Sequence, residues 1–231
     1  MLFTNCKRFC NRIVNLYING SHVETVCQTK FLGVILDSKF SWKSHIDHIS
    51  SKIAKGIGVV KKTKPCLDKE ALVSLYYTFV YPYLSYCNLI WGRAAKQYLN
   101  RLLLLQKRII RLICNVPFLA HTEPLFLSCN VMNIFDLNMY TSALFMYKVY
   151  YNVLPVCIRA MFRYHQDVQS IETRQSGKFY LPLCRTEKLK NSLCYVGPYL
   201  WNNNILPLLK DIISFTAFKR LIKASILNGR L

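Results

Sequence analysis

Ile46, Ile49, Ile53, Ile57 and Val60 recur at steps of three and four residues. That spacing gathers five large apolar side chains on one stripe of an α-helix. A helix built this way must bury its stripe, so the chain needs further helices to pack against. Ser41 stands ahead of it as a plausible N-cap. Lys52, Lys55, Lys61 and Lys62 fall on or near the other face. Gly56 and Gly58 weaken the helix locally and give another backbone room to approach.

The residues before this helix follow a different period. Val14, Leu16 and Ile18 alternate onto one face of residues 12–18. Asn19-Gly20 follows, and then a second extended run at 22–26. Asn-Gly between alternating runs is a hairpin signal, because both turn residues must take positive φ. A third extended run covers Lys30–Leu36. These pieces read as a small antiparallel sheet fragment, too little to stand alone.

Helical period continues to the end of the chain. Asp68 caps a second helix, whose apolar face is Leu72, Leu75, Tyr76, Phe79 and Val80. Pro82 breaks or kinks it. A third helix runs from about 95 to 114, with Leu99, Leu102, Leu103, Ile109, Ile110 and Ile113 inward. Gln97, Arg101, Leu104, Arg108 and Arg111 recur on its opposite side. A fourth helix covers about 135–152 and stops before Pro155. Residues 163–186 lose periodicity and read as a long basic loop. The last helix opens at Ser214, carries Phe218, Leu221, Ile222 and Ile226, and ends on Asn228-Gly229. The expected fold is mainly α, with a small N-terminal antiparallel β hairpin and strand remnant (α+β).

Residues 71–92 carry no charge over a length that could span a bilayer. Yet five tyrosines are spread along this stretch, with Pro82 and Asn88 inside it. Membrane spans gather tyrosine at their two ends. Buried core helices interrupted at Pro82 fit better, and no membrane partner is expected.

Composition narrows the function. Hydrophobic residues make up 52% of 231, which excludes a disordered tail. Lys and Arg number 31 against 11 Asp and Glu, a net charge of +20. Such an excess disfavours an ordinary metabolic enzyme and points to a polyanion partner. The ten cysteines are scattered, without a CxxC and without a second pair to join Cys6 and Cys10 in a zinc site. They read as reduced thiols of an intracellular protein.

No catalytic constellation emerges. The closest acidic pairs are Asp68/Glu70, a cap and its first helical turn, and Asp167/Glu172 in the loop. A two-metal site needs carboxylates that converge. His45 and His48 lack a third nearby ligand and read as surface or half-buried histidines. No phosphate-cradling glycine loop of the Walker type occurs. What remains is charge. Between Glu70 and Glu123 there is no acidic residue, while Arg93, Lys96, Arg101, Lys107, Arg108 and Arg111 all lie there. A basic helix face with tyrosines nearby suits a groove that tracks a phosphate backbone.

Several short motifs, taken in order, resemble a known family. They are Phe31-Leu32-Gly33-Val34 with Leu36-Asp37, then Phe40-Ser41-Trp42 with His45-Ile46. Leu75-Tyr76, Pro82-Tyr83-Leu84-Ser85-Tyr86-Cys87 and Trp91-Gly92 follow. Gln106-Lys107-Arg108 with Ile110-Arg111, Pro124-Leu125-Phe126, Thr173-Arg174 and Leu200-Trp201-Asn202 complete the set. The set is similar to the C-terminal part of reverse transcriptases from jockey-like non-LTR retrotransposons.

The resemblance implies three regions. Residues 1–37 would be the last palm edge with the primer-grip turn, and 38–115 a basic, thumb-like helical domain. Residues 116–231 would be a C-terminal helical region with its basic loop at 163–186. The family's paired catalytic aspartates have no counterpart in this sequence. The resemblance therefore implies a fragment of an RNA-directed DNA polymerase that is not itself an enzyme. Magnesium would serve the intact parent, and this chain would need no cofactor. Phe31, Leu32 and Gly33 would lie against the primer end. Lys52, Lys55, Lys61, Lys62, Arg101, Lys107, Arg108 and Arg111 would meet the phosphates of RNA, DNA or an RNA–DNA hybrid. Two other roles stay open: a co-opted stand-alone nucleic-acid-binding protein, or a structural protein with no nucleic-acid role.

Overall fold

A computed structural model of the chain describes residues 16–168, 176–208 and 214–229. The expected strand residues 12–15, the pair Cys6/Cys10, Glu172 and the Thr173-Arg174 motif lie outside the described residues. The described residues pack as two units: those of 16–87 with 94–125, and those of 88–93 with 126–229.

The first unit begins with two hairpins. β1 (Leu16–Ile18) pairs antiparallel with β2 (Ser21–Val23), and β3 (Gln28–Phe31) with β4 (Val34–Asp37). The Asn19-Gly20 turn has φ of 49° and 80°, as its sequence requires. Leu32-Gly33 repeats the same geometry, with φ of 45° and 83°. The expected single strand over Lys30–Leu36 is therefore corrected to a second hairpin. Leucine pays the cost of a left-handed backbone here, so propensity gave no hint of the turn. The two hairpins form two separate two-stranded sheets.

Asp37 links the second hairpin to the helices. Its Oδ1 accepts from the backbone N–H of Lys39 at 3.1 Å and Ser41 at 3.0 Å. Its Oδ2 accepts from the Trp42 N–H at 2.9 Å and the Ser41 hydroxyl at 3.1 Å. Burial raises this carboxyl, but the N–H groups of Ser41, Trp42 and Lys39 outweigh it and hold it below its ordinary value. The expected N-cap Ser41 is thus displaced. α1 (Lys43–Thr63) starts after Trp42, whose φ is 63° and whose side chain does not cap it, while the Ser41 hydroxyl accepts from the Lys43 N–H at 3.4 Å. The Leu36-Asp37 and Phe40-Ser41-Trp42 motifs are one folded corner.

α1 buries the expected stripe, and His45 and Gly56 with it. α2 (Lys69–Phe79) is capped by Asp68, which accepts from the Ala71 N–H at 2.8 Å. It stops before α3 (Tyr81–Ser85), where Pro82 sits in the first turn and sacrifices no helical donor. α4 (Asn88–Trp91) precedes α5 (Lys96–Ile113). α5 packs along α1 in the same direction, since Asp47 meets Arg101 near their starts and Lys64 meets Asn115 beyond their ends. One buried polar pair sits in this core. Gln106 Nε2 donates to Tyr76 Oη at 2.9 Å, both residues being fully buried.

The two glycines of α1 separate cleanly. A Cβ on Gly56 would lie 3.0 Å from the Phe79 carbonyl oxygen, whereas one on Gly58 meets nothing within 4 Å. Gly58→Ala is expected to stabilise the chain by up to about 1 kcal/mol through helix propensity. Gly56→Ala is expected to lower stability by roughly 1–3 kcal/mol through overpacking. Urea unfolding followed by circular dichroism checks both. Equal effects would mean that α2 does not press on α1 at Gly56.

α6 (Glu123–Ser128) leads out of the first unit, and the second is built on α7 (Ile134–Tyr150). α8 (Val156–Arg159), α9 (His165–Val168), α10 (Glu187–Lys190), α11 (Leu193–Leu200) and α12 (Phe215–Leu227) follow. Its core is aromatic: Tyr147, Phe162, Phe179, Trp201 and Phe218 are buried together. α11 was not legible in the sequence. It passes into a π turn, Trp201–Ile205, which turns the neighbours Trp201 and Asn202 both inward. α4 packs on α7 through polar groups. Asn138 Nδ2 donates to Asn88 Oδ1 at 2.9 Å, and a Cβ on Gly92 would lie 2.5 Å from both the Asn138 amide nitrogen and the Asn88 carbonyl oxygen. No described helix is long and apolar enough to cross a membrane.

Candidate nucleic-acid interface

The Leu32-Gly33 turn hangs from two supports. Tyr86 Oη donates to the Leu32 carbonyl oxygen at 2.6 Å. The Ile35 N–H donates to Nδ1 of His45, at 3.4 Å. His45 is 2% exposed, which corrects the expectation of a surface or half-buried residue. Burial, and then the charge of His48, push its pKa down to about 4. A neutral imidazole can accept the Ile35 N–H; an imidazolium cannot.

Between this turn, α1 and α3 opens a cleft of about 550 Å³. Lys30, Gly33, His48, Lys52, Tyr83 and Tyr86 line it, and none of its lining residues is acidic. Two lysines supply point charges for phosphate, and two tyrosines supply flat faces for sugar or base. Tyr83 and Tyr86 share one turn of α3 and its end. Both belong to a motif block that gives them no role in the sequence, and Lys30 belongs to no motif. A lysine on a short strand carries no signal until the hairpin that points it into a cleft is known.

The other expected contacts scatter. Phe31 and Leu32 are 62% and 74% exposed at the hairpin corner. Lys55, Lys61 and Lys62 lie exposed along α1, and Arg108 on α5. Lys107 is half-buried. Arg101 is held by Asp47 in an ion pair of 2.5 Å. Arg111 Nε donates to the Ala120 carbonyl oxygen at 3.0 Å. Arg93 belongs to the second unit and donates to the Ser142 hydroxyl at 3.0 Å. Among the described residues, no group of three or more His, Cys, Asp or Glu is placed to hold a metal.

Sequence comparison gives these features a context. The chain is 30% identical over 139 residues to the RNA-directed DNA polymerase from mobile element jockey of Drosophila funebris. It is 28% identical over 110 residues to the polymerase of the same name from Drosophila melanogaster. The chain is similar to jockey-type reverse transcriptases. A probable RNA-directed DNA polymerase from transposon X-element of Drosophila melanogaster is 24% identical over 125 residues. These matches take in 58%, 46% and 52% of this chain, but only 15%, 12% and 14% of the jockey and X-element polymerases. The chain thus corresponds to a small part of each. No family model and no solved structure matches it.

Proposed function

We propose that this chain is the part of a jockey-type polymerase that grips the template–primer duplex, with an RNA–DNA hybrid as its partner. The observation that carries the reading is the cleft between the Leu32-Gly33 turn, α1 and α3, with lysines and tyrosines in its wall and no carboxylate. Lys30 and Lys52 act there on the phosphates, and Arg108 with the exposed α1 lysines continues the track. Arg101 and Arg111, each engaged within the protein, shape the scaffold. Contacts of this kind position a duplex and carry little sequence information. On this reading the chain binds without polymerising and needs no cofactor of its own. The scattered spacing of the ten cysteines in the sequence supports a reducing, intracellular setting for that role.

Salt dependence tests the reading. Each phosphate contact contributes about 0.9 to the slope of log affinity against log salt on duplex DNA. Replacing Lys30, Lys52 and Arg108 together by Gln is expected to make that slope shallower by roughly 2 to 3 on an RNA–DNA hybrid. Sequence preference should not change. An unchanged slope removes the cleft from the interface. Absence of any salt-dependent binding by the unaltered chain leaves the structural, non-binding role.

A further inference from the structure

The turn that follows α5 holds two large apolar side chains out in solvent. Phe118 is 75% exposed and Leu119 is 88% exposed. Single exposed apolar residues are ordinary; these two are adjacent, and the backbone beneath them is fixed from several sides. α5 ends in a Schellman motif, with the Asn115 N–H donating to Leu112 O and the Val116 N–H to Arg111 O. Asn115 takes φ 53° there, and its Oδ1 accepts from Lys64 Nζ at 2.7 Å. The Ala120 N–H donates to Pro117 O at 3.1 Å, closing a turn with Phe118 and Leu119 at its two corners. Arg111 clamps the far side through its bond to Ala120 O, and its guanidinium lies 5.4 Å from the Phe118 ring centroid.

This tip projects where the C-terminal ends of α1 and α5 meet. Lys61, Lys62 and Lys64 come from the first helix end and Arg108 from the second, while Arg111 braces the turn itself. No acidic residue lies between Glu70 and Glu123 in the sequence. We propose that the Pro117–Ala120 turn is an apolar wedge that enters the base stack of a duplex held by these cations. The inference rests on the nucleic-acid reading above and adds a second contact of a different kind, at a different place.

The chemistry fits a duplex. Basic side chains flanking the tip neutralise phosphates. A rigid Phe-Leu tip can separate two base pairs, exchanging base–base contact for base–side-chain contact and kinking the helix. Rigidity matters, because a tip that had to be ordered on binding would lose much of the gain. An anionic bilayer also attracts cations beside an apolar tip. But two side chains bury little area, and stable anchoring takes more than one weak insertion.

The test uses the full chain on an RNA–DNA hybrid and on duplex DNA, each carrying 2-aminopurine in the DNA strand. The unaltered chain should raise 2-aminopurine fluorescence several-fold at saturation, at one or two adjacent steps. The Phe118→Ser, Leu119→Ser double variant removes only exposed side chains. It should keep the salt slope, lose the fluorescence rise, and bind roughly tenfold more weakly. Phe118→Trp should keep the rise. Normal binding with no rise by the unaltered chain, or an equal rise by the double variant, overturns the wedge while leaving the cleft reading intact. Loss of all salt-dependent binding overturns both. Sedimentation with phosphatidylserine vesicles is the third arm. Binding there that the double variant loses, while it keeps the fluorescence rise, assigns the tip to a membrane and overturns the proposal.

Discussion

Replacing Asn202 by Ala is expected to lower the stability of the second unit by roughly 2–5 kcal/mol, the cost of orphaning two buried backbone groups. Asn202 is 7% exposed and grips the backbone of Phe179 at both polar groups. Its Oδ1 accepts from the Phe179 N–H at 3.0 Å, and its Nδ2 donates to the Phe179 carbonyl at 2.7 Å. A carboxamide is the one side-chain group that can answer both at this length. Phe179 is itself 1% exposed and stacks on Tyr164 with ring centroids 4.6 Å apart. Releasing its backbone therefore loosens a core ring and the segment that carries it. Asn202→Asp keeps the acceptor, but turns an oxygen toward the Phe179 carbonyl and adds a buried charge. It should be at least as damaging at neutral pH. Hydrogen exchange at the Phe179 amide, read beside urea unfolding, checks this. A loss below about 0.5 kcal/mol, with that amide still protected, would show that the clamp adds little beyond an ordinary surface contact.

Asn202 also shows what the sequence could and could not disclose. Periodicity located every long helix, because a buried stripe repeats over many residues: α1, α2, α5, α7 and α12 all lie where the apolar spacing puts them. The Asn19-Gly20 turn and the Asp68 cap were equally plain, since each depends on one residue type at one place. Helix ends made with asparagine were harder. Asn115 and Asn152 both take positive φ where glycine usually stands, and each closes a Schellman motif. Asparagine tolerates that backbone, but it is common elsewhere and so a weak marker. α11 escaped because Pro198 sits inside it and a π turn breaks its period. The cleft escaped because its walls come from three separate stretches of the chain, residues 30–33, 45–52 and 82–86. The motif set was legible as a resemblance, but several of its members are structural. Asp37 organises a corner, Gly92 leaves room for two asparagines, and Asn202 clamps a loop. Of the four residues that we propose meet nucleic acid in the cleft, Lys52 is already marked by the resemblance, whereas Lys30, Tyr83 and Tyr86 come beside it only when the hairpin is folded against α1 and α3.

Acidification from pH 6.5 to 4 should destabilise the first unit by on the order of 3 kcal/mol through His45 alone. The sign follows from where the proton goes. Burial, with His48 adding to it, holds the folded-state pKa near 4, against an ordinary 6.5. Above pH 6.5 the imidazole is neutral in both states. Between 6.5 and 4 the unfolded chain takes up a proton that the folded chain refuses, so stability falls with pH across that window. The carboxyl of Asp37, held below its ordinary value, adds its own loss only at still lower pH. Two features place the effect at the hairpin. His45 is the acceptor for the Ile35 N–H, so a protonated ring loses that bond and presents a donor to a donor. Ile35 lies two residues beyond Gly33, so the turn at the cleft mouth loosens first. His45→Gln keeps an acceptor without a titrating group, and it should flatten the dependence between pH 6.5 and 4 even if it lowers stability throughout. Urea unfolding across that range, with hydrogen exchange at the Ile35 amide, tests the claim. Parallel pH profiles for the two chains would place the acid sensitivity elsewhere. A flattened profile with an unprotected Ile35 amide in the unaltered chain at pH 4.5 would tie it to the support of the turn.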